Sequence, residues 1–374
     1  MFFAGILNSS RNRLKSVFAR SSKQLQPVRA ISEESIGRYC EGGYHPVRIG
    51  DVFNGGKYKV VSKLGYGVYS TVWLACTLHT KRHVALKILT ADSYGTRQDT
   101  FELDILERFK AQTTPHPGSS RILGLLDKFE HHGPNGRHLC LVFKAMGPDM
   151  SRYSHIKPQN ILLETSAINT MFDQAPSEVF LPQKLPSEHD FYIESTQVSS
   201  AEEDLMRPKE LSVRLADFGT ASWFDQHLTE WIQPQMLRAP EVILGAEWDF
   251  KVDIWNLGLV LWELGEGQIL FDGCLTPEAP YTAEAHFAQM TALLGDMPKS
   301  LLTRATNKGR YFDSEGTLLQ PSAFPPCSLE QFSKVPDLSD AEKAEYLDFI
   351  RSMIALDPAQ RPDAKTLLDS KWLR

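Results

Sequence analysis

Leu64-Gly65-Tyr66-Gly67-Val68-Tyr69-Ser70-Thr71-Val72 and, further on, Val84-Ala85-Leu86-Lys87 decide how this chain is read. The first stretch sets two glycines in a turn between two predicted strands. A turn without Cβ atoms can lay its backbone N–H groups against phosphates. Alone, this G-x-G-x-x-S pattern has a plainer explanation, because any hairpin turn uses glycine. The second stretch changes the weighing. Its lysine stands fifteen residues beyond Val72, inside an apolar strand, where a cation is costly unless paired. Glu102, on the helix predicted next, is the partner in reach.

Outward from these motifs, residues 58–61, 71–75 and 84–88 are short and rich in β-branched side chains, which predicts antiparallel strands. Residues 97–110 switch to helical spacing through Phe101, Ile105, Leu106 and Phe109. Residues 122–129 and 138–143 return to strand character. After Leu215 the chain becomes mainly helical: 252–264 is apolar nearly all round, as in a core helix, and 344–354 is amphipathic. Between the two regimes, 166–210 is irregular and acidic, with Pro176, Pro182 and Pro186. It reads as a mobile inserted loop. Folded patterning starts near Tyr44.

Bulk composition sets limits. The chain has 374 residues, 42% hydrophobic and 23% charged, enough for one large domain or two lobes. A net charge of −6 argues against direct nucleic-acid binding. The five cysteines form no C-x-x-C pair, so neither a disulfide framework nor a zinc site is indicated. The longest apolar stretch, 254–264, is about half the ~20 residues that a membrane span needs. The N-terminus differs from the rest. Residues 1–32 carry Arg11, Arg13, Lys15, Arg20, Lys23 and Arg29 and no acid. Two readings stay open for it, a mitochondrial transit peptide or a disordered basic tail.

Two further motifs carry chemistry. Ile156-Lys157-Pro158-Gln159-Asn160-Ile161-Leu162-Leu163 and Asp217-Phe218-Gly219 supply an amide oxygen and a carboxylate, hard ligands suited to Mg²⁺ beside a triphosphate. A lone Asn or Asp is more often a turn or cap residue. Order along the chain tips the balance: glycine turn, strand lysine, helix glutamate, K-P-x-N, D-F-G, then Ala239-Pro240-Glu241.

That order resembles the protein kinases, over residues 40–374. Within them the chain is similar to the SR-protein kinases of fungal type. Tyr39-Cys40-Glu41-Gly42-Gly43-Tyr44-His45-Pro46-Val47, Pro234-Gln235-Met236-Leu237-Arg238 and the insert before Asp217 carry this likeness. The resemblance implies an α+β, two-lobed protein-kinase fold with a small β-rich N-lobe and a mainly helical C-lobe. The boundaries would be 1–40 for the basic tail, 41–146 for the N-lobe and hinge, and 147–374 for the C-lobe with an acidic insert at 165–212. It implies ATP and Mg²⁺ as cofactors and serine in Arg/Ser-rich splicing factors as the target, in cytoplasm and nucleus. Leu64, Gly65, Gly67, Ser70 and Val72 would cover the nucleotide. Lys87 would hold its phosphates, fixed by Glu102. Asn160 and Asp217 would bind metal, and Lys157 would touch the transferred phosphate. Phe143 would be the gatekeeper, with the hinge at 144–146 ending on Met146. Glu241 and Arg361 would pair in the C-lobe, and Asp253 would anchor the catalytic loop. Glu278, Glu284 and Asp296 could dock arginines or form a solvated face.

Two departures from the family occur together. The family has an aspartate two residues before the lysine of K-P-x-N, where it accepts the proton of the substrate hydroxyl. Here His155 stands in its place. Only twelve steps separate Phe143 from His155, whereas two helices and their connections need roughly 30 residues. Part of the C-lobe is therefore missing. Three readings follow: a transcript that skips a coding block, an ATP-binding pseudokinase acting as scaffold or competitor, or a chain in which His155 serves as replacement base.

Overall fold

The computed structural model describes residues 33–93, 100–112, 116, 118–149, 160–165, 168, 191–196, 212–320, 322–335 and 338–374. These fall into two compact units that divide after Trp223.

The first unit is built on a six-stranded antiparallel sheet. Its strands are β1 (Val52–Phe53), β2 (Tyr58–Gly67), β3 (Ser70–Thr77), β4 (His83–Leu89), β5 (Leu125–Gly133) and β6 (Gly136–Lys144), in the order β1-β2-β3-β4-β6-β5. Alternation along β4 sorts two cores. Val84, Leu86 and Ile88 pack with Val60, Trp73 and Val142, while Ala85 and Leu89 pack with Leu106, Leu141 and Phe143. Lys87 shares the second face. Helix α1 (Glu102–Ala111) lies in the connection between β4 and β5. The spacing predicts a helix from residue 97, but 94–99 lie outside the described residues, and the helix begins where the Thr100 hydroxyl accepts the Glu102 N–H at 3.1 Å. Acids at Glu102 and Asp104 and bases at Arg108 and Lys110 complement its dipole.

The end of β6 turns back at once. Gly147 N–H donates to Leu163 O at 2.8 Å, Leu163 N–H donates to Pro148 O at 3.1 Å, and Asp149 bridges to Leu162. The hinge exit is thus paired directly with β7 (Ile161–Leu163), which forms a two-stranded sheet with β8 (Val213–Leu215).

Packed chain is present earlier than the patterning near Tyr44 predicts. Glu34 is buried, and Tyr39 sits against Phe191 at 4.9 Å between ring centroids. Residues 191–196 of the insert, read from sequence as a mobile loop, are docked: Ile193 is buried in the core beside Val60 and Trp73. Most of the insert, and all of the basic stretch 1–32, lie outside the described residues.

The second unit is helical. Helix α2 (Pro240–Leu244) leads to α3 (Lys251–Glu266), then α4 (Ala283–Leu294), α5 (Lys299–Arg304), α6 (Leu329–Phe332), α7 (Asp340–Met353) and α8 (Ala364–Leu368). Helix α3 is buried along most of its length, with Trp255, Leu259 and Trp262 in one core with Tyr346, Ile350 and Met353 of α7. A capping box between Ser339 and Glu342 starts α7 four residues before the predicted 344. Among the described residues no helix is long and apolar enough to cross a membrane.

Candidate nucleotide site

The pieces of the site converge from distant parts of the first unit. Strand β4 presents Lys87 on the face shared with α1, and α1 opens with Glu102 in its first turn. The β7–β8 pairing sets Ile161 opposite Leu215, and Ala216 N–H donates to the Asn160 carbonyl at 2.8 Å. Asn160 and Asp217 therefore sit at the same end of that hairpin.

Lys87 joins them. Its Nζ is 2.7 Å from the Glu102 carboxylate and 2.8 Å from Asp217 Oδ1. Burial works against the Lys87 ammonium, but Glu102 and Asp217 outweigh it and hold the group above the ordinary lysine range. Burial also works to raise the Asp217 carboxyl. Lys87 and the Gly219 N–H outweigh that, leaving it below the usual carboxylate range and so ionised. Glu102 is 1% exposed, whereas the Asp217 side chain is 56% exposed. One carboxylate is thus structural and the other is available to a ligand. Asp217 also has φ +61°, a conformation rarely adopted by non-glycine residues.

Leu64, Gly65 and Gly67 lie at the end of β2, and Ser70 and Val72 at the start of β3, with Gly65 opposite Val72 and Gly67 opposite Ser70. Neither glycine has a positive φ, and a Cβ on Gly65 would meet nothing within 4 Å. The fold itself does not call for glycine at these two positions. Glycine in a strand costs about 0.5–1 kcal/mol relative to alanine, so its use here fits a ligand that needs the backbone bare.

Phe143 and Met146 are buried in one cluster with Leu106, Leu141 and Ala216, and Ala85 and Leu162 pack against it. The motif reading gave Ala85, Leu162 and Ala216 no role. The signal was present, since Ala85 is two residues from Lys87 and so on its face of the strand. Lys144 of the hinge pairs with Glu164 at 2.8 Å.

Asn160 is exposed. Among the described residues no group of three His, Cys, Asp or Glu side chains could hold a metal alone. A cation at Asp217 and Asn160 would need phosphate oxygens to complete its shell, as Mg²⁺ commonly does. His155 and Lys157 lie outside the described residues.

In the helical unit, Glu241 and Arg361 form a bidentate pair at 2.6 and 2.9 Å, both fully buried. Asp253 is exposed on α3, and among the described residues none hydrogen-bonds its carboxylate. Glu278, Glu284 and Asp296 form no ion pair among the described residues.

Comparison with known proteins agrees with this geometry. The protein kinase domain family matches residues 199–373. A serine/threonine protein kinase of Aspergillus fumigatus is 34% identical, over 92% of this chain and 91% of its own. The serine/threonine-protein kinase SRPK of Physarum polycephalum is 29% identical over 91% of each chain. A crystal structure of a kinase domain has the same fold, with a TM-score of 0.63 over 88% of this chain and 99% of that one, at 23% identity. With likeness of this extent on both sides of the Lys87 site, the chain belongs to the protein kinases, in the SR-protein kinase family of serine/threonine kinases.

Proposed function

We propose that this chain binds ATP with Mg²⁺ at Lys87, Glu102 and Asp217, and that it transfers the γ-phosphate poorly. Protein kinases use ATP and a divalent metal to phosphorylate proteins. The observation that carries the reading here is Lys87 held between a buried carboxylate and an exposed one. Glu102 fixes the lysine and Asp217 remains open to metal. Lys87 would bind phosphate oxygens, Asp217 and Asn160 would hold Mg²⁺, and the bare backbone of Gly65 and Gly67 would cover the phosphates. Phe143 and Met146, with Ala85 and Leu162, offer an apolar place for the base. When bound, Mg²⁺ supplies charge neutralisation of the phosphates.

Weak transfer follows from what the chain lacks. Asp149 bridges directly to Leu162, and the ten residues between Asp149 and Asn160 are too few for two helices. The alignment with the Aspergillus kinase runs over 373 positions yet covers 92% of this chain. That relative therefore has residues without a counterpart here. The aspartate that takes the hydroxyl proton is expected two residues before Lys157, where His155 stands. The proposed target, serine in Arg/Ser-rich proteins, follows the SR-protein kinase relatives.

Titration with a fluorescent ATP analogue and Mg²⁺ tests the binding half. Lys87→Met removes the cation that would meet the phosphate oxygens, a charge-assisted contact of about 1.5–3 kcal/mol, so affinity should fall at least about tenfold. Equal affinity in the variant would show that nucleotide is not held here.

A further inference from the structure

We propose that Tyr44 is a positioning residue for the glycine turn, an inference that rests on the nucleotide reading above. Its ring is buried, and its hydroxyl donates to Gly67 O at 2.8 Å and lies 3.3 Å from Val68 O. In a planar trans peptide the C=O and N–H point in opposite directions. Holding these two carbonyls therefore turns the N–H groups of Val68 and Tyr69 away from Tyr44. The next carbonyl, Tyr69 O, accepts from Thr90 N–H at 2.9 Å. Three successive peptides of the turn are tethered through their carbonyls; Ser70 pairs with Gly67 across the hairpin, so the donors readied for an anion are the N–H groups of Val68 and Tyr69.

The anchor is itself built in. Tyr44 N–H donates to Arg38 O at 2.9 Å, and Tyr44 O accepts from Asn135 Nδ2 at 2.6 Å. The approach to Tyr44 runs through Gly42, at φ +81°, and Gly43, where a Cβ would lie 1.9 Å from Arg38 O. Both positions need glycine for Tyr44 to reach its place. Further upstream the segment is fastened at Lys63, which is fully buried on β2. Its Nζ donates to Glu33 at 2.9 Å, to Glu34 Oε1 at 2.6 Å and to Ile193 O at 3.0 Å. Glu33 accepts in turn from Ser195 N–H at 2.7 Å and from its hydroxyl at 2.9 Å. This buried cluster fixes geometry, because without the Lys63 ammonium two buried carboxylates would be left uncompensated. The N-terminal segment and residues 193–195 of the insert are thus locked to β2, and Tyr44 carries that lock to the glycine turn. Packing needs only the ring, which phenylalanine would also supply. The hydroxyl acts on the turn.

The full chain and its Tyr44→Phe variant, titrated with ATP and with adenosine in Mg²⁺, test this. The variant should melt only a few degrees below the parent, the cost of one hydrogen bond, and bind adenosine equally well. It should bind ATP about three- to tenfold more weakly, the worth of one hydrogen bond. Unchanged ATP affinity, or equal losses for ATP and adenosine, would overturn the inference. If the parent binds adenosine but gains nothing from the phosphates, the nucleotide reading itself fails and this inference with it.

Discussion

Restoring the family's missing block and its aspartate should raise phosphate transfer to an Arg/Ser-repeat peptide by about 10²–10⁴-fold over the chain as it stands. That span equals roughly 3–5 kcal/mol of barrier. Phosphoryl transfer depends on positioning and charge stabilisation, and the catalytic-loop aspartate orients the attacking hydroxyl as well as taking its proton. His155 is a weak substitute because a neutral imidazole brings no negative charge to the hydroxyl or the metal. The short path from Asp149 to Asn160 compounds the loss by removing the platform beneath the loop. A radiolabel assay of both proteins side by side checks this. Comparable turnover would make His155 a catalyst.

Arg361→Ala should destabilise the protein by about 3–5 kcal/mol, a large share of the roughly 5–15 kcal/mol available to a typical fold. The guanidinium is fully buried, makes two bonds to Glu241, and donates to Ala355 O at 2.8 Å and Lys251 O at 3.1 Å. Truncation strands the Glu241 carboxylate, itself fully buried, and frees two carbonyls. Arg361→Lys keeps charge but loses the planar fork, and should fall between. Urea unfolding of the three proteins measures the series, and a loss under about 1 kcal/mol for alanine would contradict it.

Much of the nucleotide site was legible because its signals are local. Val84, Leu86 and Ile88 alternate with Ala85 and Lys87, so the strand, its two faces and the costly lysine could all be read from five residues. Glu102 followed from helical spacing, and Asp217 from its motif. The Tyr39 and Glu34 contacts were not legible. They join residues some 130–160 positions apart, through polar groups that have no periodicity: Lys63 with Ile193, Glu34 with Tyr192, Glu33 with Ser195. Lys63 looks like one more charge on an alternating strand until its two carboxylates are placed. The insert reads as loop for the same reason, since Ile193 alone gives no pattern. The capping box of Ser339 and Glu342 was visible, but the apolar stripe that marks α7 begins later, so the helix start was set too late.

A single-turnover experiment with γ-labelled ATP, Mg²⁺ and excess protein tests the central claim most directly, because it reads binding and transfer on one sample. Label retained with the protein reports the Lys87 site, and label on an Arg/Ser-repeat peptide reports the chemistry. The account predicts that the chain retains nucleotide near one-to-one while almost none of the label moves to peptide. Rapid, complete transfer, or no retained nucleotide at all, would contradict it.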